Sequence, residues 1–117
     1  AEVPVADQLV VLKANLAGLD RINDLTETIV QLYLKRDLGA IWPLQLELAR
    51  KAGVDPKVFD KYQEHLLVAR NKRMRDRAYL HLQRGGLFVA IGALHLVGPN
   101  GMVALLKDMG FTLTAVE

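Results

Sequence analysis

From Asp55-Pro56 to Gly85-Gly86, nothing in this sequence interrupts a helix. Aspartate before proline is a start signal: the carboxylate can accept a first-turn N–H, and proline at the first helical position gives up no helical hydrogen bond. The glycine pair is a stop, because glycine adopts left-handed backbone freely and contributes nothing that holds a helix together. The interval predicts one long helix of about seven to eight turns. With 117 residues, 51% of them apolar, the chain has the length and composition of one ordinary domain with a packed core.

Shorter helical patterns precede it. After Val3-Pro4, Leu9, Leu12, Leu16 and Leu19 recur at spacings of three and four, one face of an amphipathic helix that Gly18 weakens at its end. Ile22, Leu25, Ile29 and Leu32 repeat the pattern to about Lys35, with Asp20 as the expected N-cap. These two helices are expected to form an antiparallel pair. A third apolar segment covers residues 38–52. Pro43 would break a hydrogen bond inside it, so either a kink or a helix start near Trp42 is expected, with Gly53 as the C-terminal stop.

The last quarter reads differently. Residues 87–91 are a continuous apolar run between glycines, the pattern of a strand buried on both faces of a parallel sheet. Residues 111–116 are a second strand candidate. Between them Met102, Leu105, Leu106 and Met109 have helical spacing and Gly110 ends the helix, so the unit reads strand, helix, parallel strand with a right-handed crossover. The expected fold class is therefore α/β: a helical region over residues 1–84 followed by a β-α-β unit over 85–117, together a single partial domain. Two parallel strands alone cannot cover both faces and both edges of such a sheet. The partial sheet is expected to take further strands from a missing segment of the same polypeptide or from a partner chain, as in a homo-oligomer.

Composition removes several function classes. The absence of cysteine excludes disulfides, thiolate metal sites and a cysteine nucleophile. A formal charge of +2 does not argue for nucleic acid, and the basic run of residues 70–77 has only Tyr79 nearby to offer stacking, so no nucleic-acid partner is expected. No stretch reaches the roughly 20 apolar residues of a membrane span.

Candidate chemistry is sparse. His95 lies three residues past Gly92, beyond the carboxyl end of the expected strand, where open parallel sheets place ligands. A metal-ligand or acid-base role and a plain loop-capping role both suit it there. His65 and His81 form no paired-histidine motif with it and read as structural or surface residues. The glycines around His95, among them Gly92 and Gly98, mark either close approach of backbone to a bound group or tight turns, and Gly98-Pro99-Asn100-Gly101 favours a turn. On the long helix, Arg70, Arg73 and Arg77 fall on the side of Phe59, Leu66 and Leu80 at about 100° per residue. Guanidiniums on a continuing apolar face need carboxylates, an anionic ligand or a subunit interface. Alternatively the helix changes its buried face, turning Met74 and Ala78 inward with Asn71. The residues leave both open.

Arg70-Asn71 followed by Met74, and then residues 88–111 (FVAIGALHLVGPNGMVALLKDMGF), resemble the C-terminal signature of the TraB/PrgY/GumN family, related to the TIKI proteins. Gly92-Ala93-Leu94-His95 is similar to its second GxxH motif. Arg36-Asp37-Leu38 stands where the family often has Gly-Asp-Leu. The resemblance is sharp from Arg70 to Phe111 and general elsewhere.

The resemblance implies an α/β fold around a cleft and, by analogy with the TIKI members, a metal-dependent protease. His95 would then be a ligand of a divalent metal ion, Arg70 and Asn71 would line the catalytic site, and Gly92 and Gly98 would let backbone approach the bound group. The family's strand-rich first half, with its own GxxH motif, is not found here, so the chain is expected to be the C-terminal portion of a longer protein and inactive alone. The alternatives are a non-catalytic module that captures a peptide or signal and a helical scaffold that completes its sheet by dimerisation. Family habit suggests a periplasmic or extracytoplasmic location.

Overall fold

The computed structural model describes residues 3–116, and among these it contains helices, turns and irregular segments but no strand. The α-helices are α1 (Val5–Ala17), α2 (Ile22–Leu34), α3 (Ile41–Lys51), α4 (Pro56–Gln63), α5 (Ala69–Arg84) and α6 (Met102–Asp108). Two compact units divide the chain between His65 and Leu66.

In the first unit, α3 begins at Ile41 after a 3-10 turn over Leu38–Ala40. Pro43 therefore lies in its first turn, where the lost N–H has no helical acceptor anyway. The helix ends in a Schellman motif: Gly53, at φ +80°, donates to Arg50 and Val54 donates to Ala49. This turn brings Val54 into the core beside Ile41 and Phe59, all three at most 8% exposed. The Trp42 and Phe59 rings sit 5.0 Å apart at 40°. Asp55 caps α4 by accepting from the Lys57 N–H at 2.8 Å. Lys61 on α4 reaches Asp7 on α1 at 3.2 Å. Asp20 does not cap α2 as its side-chain chemistry suggested; it lies inside a 3-10 turn over Leu19–Arg21, and the residue at the helix start is Arg21. Neither α1 nor α2 contains a buried residue.

Backbone from Pro56 to Arg84 is helical throughout, as the start and stop signals require, but Glu64–Val68 forms a π turn. A π turn accommodates one extra residue and so shifts every later side chain by one position relative to a regular α-helix. The positions that would have continued the Phe59 face, 66, 70, 73 and 77, give way to 67, 71, 74 and 78. In the second unit Leu66, Arg70, Arg73 and Arg77 are exposed, Asn71 is buried, and Leu67, Met74 and Ala78 are half-buried. The change of buried face is thus the alternative that holds.

In the second unit α6 packs against α5, with Val68, Met102 and Leu105 buried. A second Schellman motif ends α6, with Gly110 at φ +89° donating to Lys107 and Phe111 donating to Leu106. It turns the Phe111 ring edge-on to Tyr79 of α5, 6.4 Å away at 81°.

The expected α/β class, with its β-α-β unit and partial sheet, is not what forms. Residues 87–91 and 111–116 are irregular and pair with no described segment. Phe88 is 89% exposed and Val116 95% exposed. A strand is defined by its ladder, and an apolar run supplies side chains for one without supplying a partner. The helix between the two runs is present as α6, so the helical half of the unit stands without its strands.

Candidate functional site

The local fold around His95 is built from backbone hydrogen bonds that a short glycine-rich loop makes to itself. Gly92 carbonyl accepts from His95 N–H at 2.9 Å, closing a 3-10 turn over Ala93–His95. Gly98, at φ +84°, then reverses the chain, and its carbonyl accepts from Gly101 at 3.0 Å. The Leu96 carbonyl accepts from Val103 in the first turn of α6 at 3.3 Å.

Asn71, from α5, fastens this loop. Only 2% exposed, it donates through Nδ2 to the Asn100 carbonyl at 2.7 Å and sets Oδ1 2.6 Å from His95 Nδ1. The network assigns the protons. An amide group that points its NH2 at a carbonyl presents only its oxygen on the other side, so His95 Nδ1 must carry the hydrogen. The neutral imidazole then has its lone pair on Nε2. Burial holds the His95 pKa below the usual histidine value, and the positive charge of Arg70 pushes the same way. Both effects favour the neutral ring.

Of the residues singled out from the sequence, Asn71 and His95 are in direct contact and Arg70 acts on His95 through its charge. Arg70 itself is exposed. Gly92 is at φ −61°, open to any residue, and a Cβ there would meet His95 Cδ2 at an ordinary 3.7 Å. Gly98 is a turn residue whose Cβ would meet nothing within 4 Å. His65 and His81 are exposed and take no part. Among the described residues, no three His, Cys, Asp or Glu side chains are grouped as metal ligands would be.

Two residues of the Gly98-Pro99-Asn100-Gly101 turn contribute in ways that residue identity does not show. The Asn100 backbone oxygen anchors Asn71, and a carbonyl leaves no trace in residue identity. Gly101 is buried, and a Cβ on it would fall onto the carbonyl oxygens of Leu96 and Val97. The clustering of glycines was the available signal, but it does not say which one is sterically required. Beside the loop lies an open depression of about 320 Å³ lined by Leu96, Val97, Gly98, Val103, Ala104 and Lys107.

No helix among the described residues is long and apolar enough to cross a membrane. No curated protein and no solved structure matches the chain. The TraB/PrgY/gumN family model matches residues 1–115, spanning Arg70, Asn71, the GxxH tetrad and the helices before them. The chain belongs to the TraB/PrgY/gumN family.

Proposed function

We propose that this chain carries one imidazole of a metal-dependent hydrolase site acting on peptide bonds, with His95 as the ligand. The observation that supports the reading is the Asn71 Oδ1 contact to His95 Nδ1 at 2.6 Å, which leaves Nε2 unprotonated and available. Metal-binding histidines characteristically use their second nitrogen in this way, donating to an oxygen that sets tautomer and ring orientation.

The donor chemistry suits one ligand position and no more. A catalytic ion of the zinc type takes about three protein ligands, and the described residues do not group that many. The remaining ligands would come from another segment of the polypeptide or from a second copy of the chain. A bound divalent ion would supply a water of lowered pKa. The chain's own residues perform the rest: Asn71 orients the imidazole, burial and Arg70 keep it neutral, and Arg70 offers positive charge to an anionic group nearby.

The test is Zn²⁺ and Co²⁺ titration, with peptide-cleavage assays, of the protein beside its His95→Ala and Asn71→Ala variants. The expected result is loss of affinity in the first and a decrease of about 10- to 100-fold in the second. Unchanged metal affinity and unchanged cleavage in His95→Ala would remove His95 from the site. A non-catalytic peptide-capture role is the second reading, supported by the mostly apolar depression that Lys107 helps to line; it requires peptide binding that does not depend on metal.

A further inference from the structure

Along α5, Arg70, Arg73, Arg77, Leu80 and Arg84 follow one another at spacings of three and four, and all are exposed. On a helix such positions form one continuous stripe. From Arg70 to Arg84 it runs about 21 Å at 1.5 Å per residue. It lies well around the helix from the buried side that carries Asn71, Met74 and Ala78.

The charge on this stripe is uncompensated. Arg50, on α3, forks onto Glu47 at 3.0 and 3.1 Å, and Arg75 pairs with Asp76 at 2.7 Å. Asp76 is the only carboxylate in the α5 sequence, against six Lys and Arg residues. Arg70, Arg73, Arg77 and Arg84 pair with no carboxylate among the described residues. From Leu66 onward the sequence carries seven Lys and Arg against three Asp and Glu, so the rest of this segment supplies little acid either.

We propose that this stripe is a docking surface for an acidic polypeptide segment that lays carboxylates along the guanidiniums and an apolar side chain against Leu80. Planar guanidiniums match carboxylates in two-bond pairs, and a row at helical spacing matches acidic residues at the same spacing on a partner helix. Leu80, 61% exposed between Arg77 and Arg84, is the apolar contact that a purely ionic surface would lack. No aromatic residue lies on the stripe to stack nucleic-acid bases.

The experiment measures fluorescence anisotropy of a labelled helical peptide of about 15 residues, with Glu at every third or fourth position and one central Leu. The protein is compared with an Arg73→Glu/Arg77→Glu/Arg84→Glu variant and with the milder Arg73→Gln/Arg77→Gln/Arg84→Gln variant. Arg70 stays intact because it acts on His95. The peptide is expected to bind the wild type, with affinity reduced about tenfold or more in either variant. Circular dichroism should remain unchanged because the replaced side chains are exposed. Equal affinity in a folded variant would overturn the proposal, as would tighter wild-type binding to oligo(dT) or to phosphatidylglycerol vesicles at the same salt concentration.

Discussion

The Asn71 amide and the His95 imidazole are joined at 2.6 Å, and the other end of the same amide holds the Asn100 carbonyl at 2.7 Å. One buried side chain thus connects α5 to the loop at two points, the histidine itself and the Asn100 carbonyl just before α6. The arrangement links fold to function directly, since the bond that fastens the loop also selects the imidazole tautomer.

Replacing Asn71 by alanine is expected to destabilise the protein by about 2 to 4 kcal/mol, because it strips partners from polar groups in a buried place and leaves a void. Asn71→Asp keeps the size but cannot donate to Asn100, and its negative charge should raise the His95 pKa. Chemical denaturation measures the first effect. Nitrogen chemical shifts of the imidazole measure the tautomer, and a wild-type ring protonated on Nε2 at neutral pH would refute the assignment.

His95 also carries a pH signature in the metal-free chain. Its pKa is lowered in the folded state by burial first and by Arg70 second. The unfolded chain, with an ordinary histidine value of about 6.5, therefore takes up its proton first as the pH falls. The stabilisation is fully present above that value and is lost on acidification through the window between the unfolded and folded pKa values. Arg70→Gln should raise the His95 pKa only part of the way to the ordinary value, because burial remains. Proton NMR titration of the ring resolves this, and complete restoration by Arg70→Gln would show that charge rather than burial dominates.

The glycines of the His95 loop should separate sharply on substitution by alanine. Gly101→Ala places a methyl group on the Leu96 and Val97 carbonyls, backbone atoms that cannot swing aside, and is expected to cost several kcal/mol, on the order of 3 or more. Gly98→Ala has open space but a φ of +84°, so its cost is about 1 to 2 kcal/mol. Gly92→Ala, at φ −61° with only an ordinary contact to His95, should be close to neutral. Melting temperatures of the three variants check the ranking.

Much of the helical framework was readable because its signals are local. Asp55-Pro56, Gly53 and Gly110 each act within a turn of the backbone they start or stop, and each stands where the pattern puts it. What was not readable depends on distant or backbone groups. The apolar run of residues 87–91 looks the same with or without a neighbouring strand, so its periodicity could not reveal that no described segment pairs with it. The π turn at Glu64–Val68 shows no breaker residue, so the face counted forward from Phe59 puts Arg70 where Asn71 is the buried residue. His95 was visible as a candidate from its place past Gly92, Asn71 from the alternative buried face of the long helix, and both again through the family signature. Their bond was not, because it passes through a loop whose course is set by the carbonyl of Asn100 and the missing side chain of Gly101.

Arg36 supplies a test that does not involve the site. It ends α2 in a Schellman motif, donating to Tyr33 at 3.0 Å while Asp37 donates to Leu32 at 2.9 Å. Its φ is +60°, the left-handed region that Gly53 and Gly110 occupy at the ends of α3 and α6. A side chain with a Cβ is strained there by about 1 to 2 kcal/mol. Glycine removes that strain but makes the unfolded chain more flexible and gives up whatever the arginine side chain contributes. Backbone strain of about 1 to 2 kcal/mol exceeds the roughly 0.4 to 1 kcal/mol of added chain entropy, so Arg36→Gly should raise stability by about 0.5 to 1 kcal/mol, less what the side chain's own interactions contribute. Arg36→Val, branched at Cβ, should lower it. Denaturant midpoints at constant m-value decide the matter, and a Gly variant less stable than wild type would mean that the arginine side chain holds more than the backbone loses.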